Sequence, residues 1–298
     1  MHLPPVRQLQ YLVALRQNLH FGKAASSLNV TQSTLSTGIR ELETSLGITL
    51  VERTNRSVSF TAAGDKITDR ARYVLMQVED LVTEAKGLTD PLALPLKLGA
   101  IPTIASFSMG AFAYTLTSTH PRLKLYIREN TTGNLIAELL DNKLDIALLA
   151  LPYDVGRVET RIIYREGFHL AFHKSTKLVN QVSFDFDLLP DESLLLLEDG
   201  HCLRDHALAG CRLKNHKKIH TFGANSLQML LQMVNKDLGV TLVPDMALGL
   251  LKNTNIKTIK LPPKRFYRDI GFAWRKGHSR LSVLEEIMSL LRPSAAKS

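Results

Sequence analysis

The stretch from Thr61 to about Lys86 carries apolar residues at Ile67, Ala71, Val74, Val78, Leu81 and Ala85, spaced 4, 3, 4, 3, 4. This is the a/d seam of a heptad repeat. It predicts one long helix whose apolar stripe must be covered, most simply by a second copy of the chain. An ordinary core helix is the other reading of such a stripe. Thr61 stands at the N-cap position, and Gly87–Pro95 (GLTDPLALP) reads as a break and hinge. The seam therefore divides the chain into a head, a connecting helix and a body.

The head reads as short helices. Leu9, Leu12, Val13 and Leu15 recur at helical spacing, and Phe21–Leu28 follows with Ala24, Ala25 and Leu28 on one side. Asn29-Val30 interrupts. Thr31 then caps Gln32–Leu46, in which Leu35, Ile39, Leu42 and Leu46 are spaced 4, 3, 4. A short helix, a tight turn and a second amphipathic helix predict a helix-turn-helix. Gly47–Val51 and Ser57–Phe60 read as two short strands around a wing, Glu52–Arg56.

From Leu96 the pattern alternates between strand and helix. Strands are expected at Leu96–Ile101, Leu123–Glu129, Asp145–Leu151, Ile162–Phe172, Leu194–Leu197, Val240–Val243, Ile256–Leu261 and Ile270–Trp274. Helices are expected at Ile104–Thr117, Thr132–Asn142, Asn225–Lys236 and Leu281–Leu291. Such alternation predicts an α/β body with parallel sheets, and about 200 residues suit two lobes better than one. The domains read as 1–60, 61–90 and 91–298. The last splits into about 91–162 plus 267–298, and 163–266.

Net charge is +9, but residues 1–90 hold 10 basic and 9 acidic side chains against 27 and 19 in residues 91–298. The basic excess does not mark the head, and bulk charge alone gives only weak attraction to polyanions. No apolar run approaches the ~20 residues of a membrane span, and residues 1–10 lack an apolar signal core. A soluble, cytoplasmic protein without membrane contact is expected. No cofactor fingerprint is present, so neither a cofactor nor a metal is expected.

The head motif runs Phe21-x2-Ala24-Ala25-x2-Leu28-x-Val30-Thr31-Gln32-Ser33-x-Leu35-Ser36-x2-Ile39-x2-Leu42-Glu43-x2-Leu46-Gly47, then Arg53 and Thr61-x-Ala63-Gly64. It resembles the LysR-type transcriptional regulators, and the likeness extends along the whole chain. One departure is Gly38, where that family often carries Gln; glycine inside a helix costs about 1 kcal/mol against alanine and removes a side chain that could touch DNA. The resemblance implies a winged helix-turn-helix, a dimerising linker helix and a two-lobed regulatory domain of the periplasmic-binding-protein type. It also implies double-stranded operator DNA and RNA polymerase as partners, and a tetramer of two dimers. Leu197-Glu-Asp-Gly-His-Cys-Leu-Arg-Asp-His206, followed by Cys211, resembles the redox segment of that family's hydrogen-peroxide-sensing branch. Tyr11–Leu15 and Gly99–Thr103 carry the same likeness.

A recognition helix presents hydrogen-bonding side chains near its N-terminus to base edges. Gln32, Ser33, Thr34 and Ser36 are short, polar and off the apolar face. Arg40 suits a phosphate further along, and Arg53 and Arg56 on the wing suit the DNA backbone, which fixes register rather than sequence. Helix capping by the hydroxyls, and surface or ion-pair roles for the arginines, are the plainer readings.

The cysteines are Cys202 and Cys211. His201 precedes Cys202 and Arg204 lies two places on; a cation or a helix N-terminus lowers a thiol pKa and supplies the thiolate that attacks peroxide. A sulfenic acid then condenses with a second thiol, for which Cys211 is the obvious candidate. Leu203–Ala209 reads as helical. Nine residues of continuous helix rise ~13.5 Å, whereas a disulfide needs Cα atoms about 4.4–6.8 Å apart. Oxidation is thus expected to refold the segment. By resemblance, Thr103 and Thr132 line the peroxide pocket, and Arg268 is the basic residue near the thiol, with Arg265 a close rival. Two inert buried cysteines remain a reading, as does a zinc site of His201, Cys202, His206 and Cys211, though its spacing is unlike zinc motifs. Among functions, a regulator binding a small metabolite between its lobes, a thiol peroxidase and a solute-binding protein compete with the peroxide sensor.

Overall fold

The computed structural model describes residues 3–53, 58–87, 94–154, 156, 158–177, 186, 189–211 and 216–290. It separates into two compact units, residues 1–88 and 89–298.

In the first unit, α1 (Val6–Asn18), α2 (Phe21–Ser27) and α3 (Gln32–Leu46) pack around Leu12, Leu15, Ala24, Leu35, Ile39 and Leu42. Asn29 turns the chain between α2 and α3 in the left-handed region, φ 53°. Thr31 caps α3, its hydroxyl accepting from the Thr34 N–H at 3.1 Å. Strands β1 (Val51–Arg53) and β2 (Val58–Phe60) pair antiparallel. The first expected strand thus begins later than read, because Gly47 ends α3 and Glu43 takes up the turn. Glu43 Oε1 accepts from the Leu50 and Val51 N–H groups at 2.8 and 3.0 Å.

The long helix α4 (Ala62–Gly87) follows, capped by Thr61, whose hydroxyl accepts from the Gly64 N–H at 2.9 Å. Its seam is not uniform. Ile67, Ala71 and Leu75 pack onto the head core, while Val74, Val78, Leu81 and Val82 are exposed, Leu81 at 69%. Of the six seam residues, Ile67 and Ala71 are therefore covered within the head, and Val74, Val78, Leu81 and Ala85 are left for a partner.

Two glycines fix the head's packing. A Cβ on Gly38 would stand 2.5 Å from the Tyr11 ring, so the departure from glutamine reflects a close approach of α3 to α1. A Cβ on Gly64 would stand 2.0 Å from the Leu50 carbonyl oxygen.

In the second unit, β3 (Leu96–Ala100), α5 (Pro102–Thr119), β4 (Leu125–Glu129), α6 (Thr132–Leu140) and β5 (Ile146–Leu151) form a first run. The strand β6 (Val158–His173) leads on to β7 (Leu194–Leu197), α7 (Cys202–Cys211), β8 (Ile219–Ala224), α8 (Leu227–Asn235), β9 (Thr241–Pro244) and β10 (Ile256–Lys260). β11 (Tyr267–Arg275) and α9 (Leu281–Leu290) close the unit. The main sheet has the order β10-β6-β11-β5-β3-β4, with β9 also on β6; β7 and β8 form a separate parallel pair.

Among the described strands, β3–β4, β3–β5 and β7–β8 pair parallel, while β11 and β6 pair antiparallel with their neighbours. An apolar run records burial on both faces, not strand direction, so the expectation of parallel sheets holds for part of the body only. Two hydrophobic cores result. One gathers β3, β5, α5, α6, α9 and Ile270–Trp274; the other gathers Phe168–Phe172, β7, α8, β9 and Phe266. β6 crosses between them after Tyr164, and β11 crosses after Phe266.

Replacing Gly64 by alanine forces a methyl group against a backbone carbonyl that has no rotamer to yield. Gly64→Ala is expected to destabilise the head by about 2–3 kcal/mol, at the upper end of overpacking costs. A denaturant titration followed by circular dichroism should show an early transition from residues 1–88, with the transition of the body unmoved.

Candidate functional site

The exposed face of α3 carries Gln32, Ser33, Thr34 and Arg40, with Ser36 half-buried beside them. The structure separates their tasks. Ser33 and Thr34 belong to the cap, their hydroxyls lying 2.9 and 2.7 Å from the Thr31 hydroxyl. Ser36 and Arg40 meet one turn apart, Arg40 Nη2 donating to Ser36 Oγ at 3.4 Å. Arg53 is the last residue of β1; Arg56 lies outside the described residues.

The two cysteines are the first and last residues of one unbroken helix, α7, and both are free and buried. Cys202 belongs to the first core; Leu203, Ala207 and Cys211 belong to the second. The helix therefore spans the junction of the two cores.

Cys202 lines a cavity with Ile101, Thr103, Thr131, Thr132, Gly200 and His201. About 10 Å³ of it is open to the centre of a water-sized sphere, room for about one such molecule. Three helices begin at this cavity, α5 at Pro102, α6 at Thr132 and α7 at Cys202. The N-caps of α5 and α6, Ile101 and Thr131, make no side-chain cap bond. Helix starts carry unpaired N–H groups and the positive end of the dipole, so the site favours developing negative charge. The Thr132 hydroxyl is buried without a partner of good geometry, and it lies near enough to the Cys202 sulfur to favour the thiolate.

Arg268 is the cation of this site. It is fully buried; Nε donates to Glu166 Oε1 at 2.7 Å, and Nη1 donates to Thr103 Oγ1 at 2.9 Å. Glu166 Oε2 in turn accepts from the Met246 N–H at 3.1 Å. Burial nevertheless dominates at Cys202 and pushes its thiol above the usual range, against the pull of Arg268, Thr132 and the Leu203 N–H. Burial also pushes Cys211 up, to about 12, against the pull of Arg265. Near neutrality both groups are thiols.

Several expectations need revision. Arg204 does not serve the thiol: it pairs with Asp199 at 2.8 Å and donates to the Leu197 carbonyl at 3.0 Å. Two residues along a helix start point elsewhere, so sequence proximity was a poor guide. His201 lines the cavity but is not among the groups that shift Cys202. Arg265 and Arg268 divide the roles between the two thiols. The depressed thiol pKa expected for Cys202 is overridden by burial. His206, considered only as a zinc ligand, is a clasp: Nδ1 lies 2.6 Å from the Cys202 carbonyl and Nε2 lies 3.2 Å from the Leu151 carbonyl. Glu166 was missed altogether: it stands beside Arg165 in β6, and nothing in the sequence marks which of the two is buried.

A helix-turn-helix head, a long helix and an α/β body with two cores define a DNA-binding transcription regulator. The comparisons give the family. The bacterial regulatory helix-turn-helix model of the lysR family matches residues 6–65, and the LysR substrate binding domain matches residues 90–296. The chain belongs to the LysR family. It is similar to the HTH-type transcriptional regulator EstR of Acinetobacter baylyi, at 37% identity over 97% of each protein. It is also similar to the DNA-binding transcriptional dual regulator OxyR of Escherichia coli, at 36% identity over 96% of this chain and 94% of that one. Among solved structures, a full-length cysteine-to-aspartate variant of OxyR from Pseudomonas aeruginosa matches at TM-score 0.74 and 32% identity, over 98% of this chain and 96% of that one. The reduced regulatory domain of OxyR2 from Vibrio vulnificus matches at 0.63 and 39%, over 67% and 94%.

Because the Cys202 pKa is raised, the thiolate fraction is small near pH 7 and grows about tenfold per pH unit while pH stays below the pKa. Alkylation of Cys202 by a small haloacetamide is expected to accelerate by that factor from pH 6 to 8 without a plateau. A plateau below pH 8 in a trapping assay would show that Arg268 outweighs burial.

Proposed function

We propose that this chain is a peroxide-responsive transcriptional regulator. In this reading residues 1–60 bind operator DNA, residues 61–90 dimerise, and residues 91–298 sense hydrogen peroxide through Cys202 and Cys211. The observation that carries it is the placement of the thiols: Cys202 on a small cavity where three helices begin, at the junction of two cores, and Cys211 at the far end of the same helix. The cavity's size favours a reactant of a few atoms over a metabolite, since ligand pockets usually enclose about 300–1,000 Å³.

The chemistry follows from the groups present. The Cys202 sulfur attacks one peroxide oxygen; an S–O bond forms and the O–O bond breaks. The departing hydroxide takes the thiol proton and leaves as water. N–H groups at the helix starts and the Thr132 hydroxyl stabilise that charge as it develops. Arg268, held rigid by Glu166 and Thr103, favours the thiolate as the proton leaves. The Cys211 sulfur then attacks the sulfenic sulfur. An S–S bond forms, the S–O bond breaks, and a second water leaves with the Cys211 proton. Sulfur gives up two electrons in all, and peroxide is the oxidant. The helix cannot hold that bond, because its ends lie ~13.5 Å apart, so α7 must unwind and both cores must change. RNA polymerase and operator contacts read out that change in a tetramer of two dimers.

Peptide mapping after a brief micromolar peroxide pulse, with thiols trapped at once, is expected to show a stoichiometric Cys202–Cys211 disulfide. Cys202→Ser should bind the operator normally and lose the peroxide response. A variant that still responds would exclude the sensor and favour a metabolite effector.

On the DNA side, Ser36 and Gln32 act as readers, Ser33 and Thr34 as cap residues that hold them, and Arg40, Arg53 and Arg56 as phosphate contacts. Arg56→Ala should weaken binding to all sequences and reduce the slope of log K against log salt by about 1. Ser36→Ala should change operator preference and leave that slope unmoved. Titrations at several salt concentrations on operator and random duplexes separate the two.

A further inference from the structure

The last turn of α7 is held from outside the helix. Arg265, in the loop before β11, donates through Nε to the Gly210 carbonyl and through Nη2 to the Cys211 carbonyl. Its own N–H donates to the Pro262 carbonyl at 3.0 Å, which fixes the loop. The guanidinium lies over the Phe266 ring, 5.3 Å from its centroid, and Phe266 is buried in the second core. The last carbonyls of a helix have no partner within it, and a cation there also complements the negative end of the dipole. Arg265 supplies both to the one residue whose position matters most for a disulfide.

We propose that Arg265 is a positioning residue that sets the balance between dithiol and disulfide: it anchors the end of α7 that carries Cys211 and so stabilises the dithiol. The inference rests on the redox reading above. Its logic is geometric. Cys202 and Cys211 cannot bond while both ends of α7 stay helical, so at least one end must leave. The Cys202 end reacts where it stands, on the cavity and beside Arg268. The Cys211 end is therefore the one that travels, and the two carbonyls that Arg265 holds are in place only while it has not. Disulfide formation forfeits both bonds, whereas the reaction of Cys202 with peroxide forfeits neither. Arg265 thus acts on the second step and on the equilibrium, and not on the first step.

The test uses the full chain and its Arg265→Ala and Arg265→Lys variants, equilibrated with dithiothreitol redox buffers, with the Cys202–Cys211 disulfide quantified after acid trapping. Arg265→Ala is expected to favour the disulfide about tenfold, a midpoint about 30 mV more negative for a two-electron couple. Arg265→Lys, which keeps the charge and one donor, should fall between. On a Cys211→Ser background, the rate of sulfenic acid formation at Cys202, read with a dimedone probe, should be the same with and without Arg265→Ala. A disulfide in the parent chain with an unshifted midpoint in both variants would overturn this inference alone. No disulfide in the parent chain would overturn it together with the redox reading. Should Arg265→Ala lose its helical circular dichroism, Arg265→Lys decides, an unshifted midpoint again counting against the proposal.

Discussion

A buried ion pair holds the body together where its two cores meet. Arg268 and Glu166 face each other in register across β11 and β6. Each stands where its strand leaves one core for the other: β6 between Tyr164 and Phe168, β11 between Phe266 and Ile270. Taking two charges out of water costs several kcal/mol per ion, and the pair tolerates it because the surrounding partners are satisfied. Thr103, Met246 and the Met246 N–H complete the hydrogen bonding. The crossing point thereby gains a rigid cation in an apolar setting, where its field is screened little. Cys202 lies within that field. The element that fixes the two lobes and the element that tunes the thiol are the same side chain.

That arrangement makes the two cysteines unequal although burial raises both. Cys202 has a cavity, helix-start N–H groups, the Thr132 hydroxyl and Arg268, all of which favour negative charge against the opposing effect of burial. Cys211 lies in the second core, and the group that draws its pKa down is Arg265. A thiol kept protonated by its surroundings reacts slowly with general oxidants and electrophiles. The same thiol becomes competent when a small molecule delivers its own proton acceptor into a site built for an anion. In the proposed reading, selectivity for a small peroxide follows from the preorganised site rather than from a standing thiolate.

Much of this was legible in the sequence, and the part that was not has a common cause. The helix-turn-helix could be read because caps and periodicity are local: Thr31, Asn29 and Thr61 act within a few residues of themselves. The helix expected at Leu203–Ala209 was legible for the same reason, and it extends to Cys202–Cys211. Strand direction was not, because β11 reaches its place between β5 and β6 from about a hundred residues away. β8 was missed since Ile219–Ala224 is short and half exposed. Gly38 looked like a lost contact and is a packing requirement set by Tyr11. Among the charges, Arg204 was favoured because it is near in sequence, whereas Arg268, Glu166 and Arg265 act across the fold. Residues that serve the site through a fold crossing leave no periodic signal, and Glu166 and Arg268 stand beside other charged residues, Arg165 and Asp269, that gave no hint which of them would be buried.

In the proposed redox reading, the division of one helix between two cores accounts for a switch that needs a strong oxidant and still resets. In that reading, bringing Cys211 to Cys202 draws Cys211 out of the second core, where it is nearly fully buried. The lost turns of α7 and the Arg265 anchor add to that cost. Spontaneous pairing of the thiols by mild oxidants is opposed by this amount, while reduction of peroxide to water supplies a far larger driving force. The same strain works in the other direction once peroxide is gone. In that reading, a disulfide formed at the expense of native packing has a higher reduction potential than a relaxed structural one, so thiol reductants open it and α7 reforms with Cys202 in one core and Cys211 in the other. On the proposed reading, sensitivity and reversibility come from a single length: a ten-residue helix holds apart two sulfurs that a disulfide must bring together.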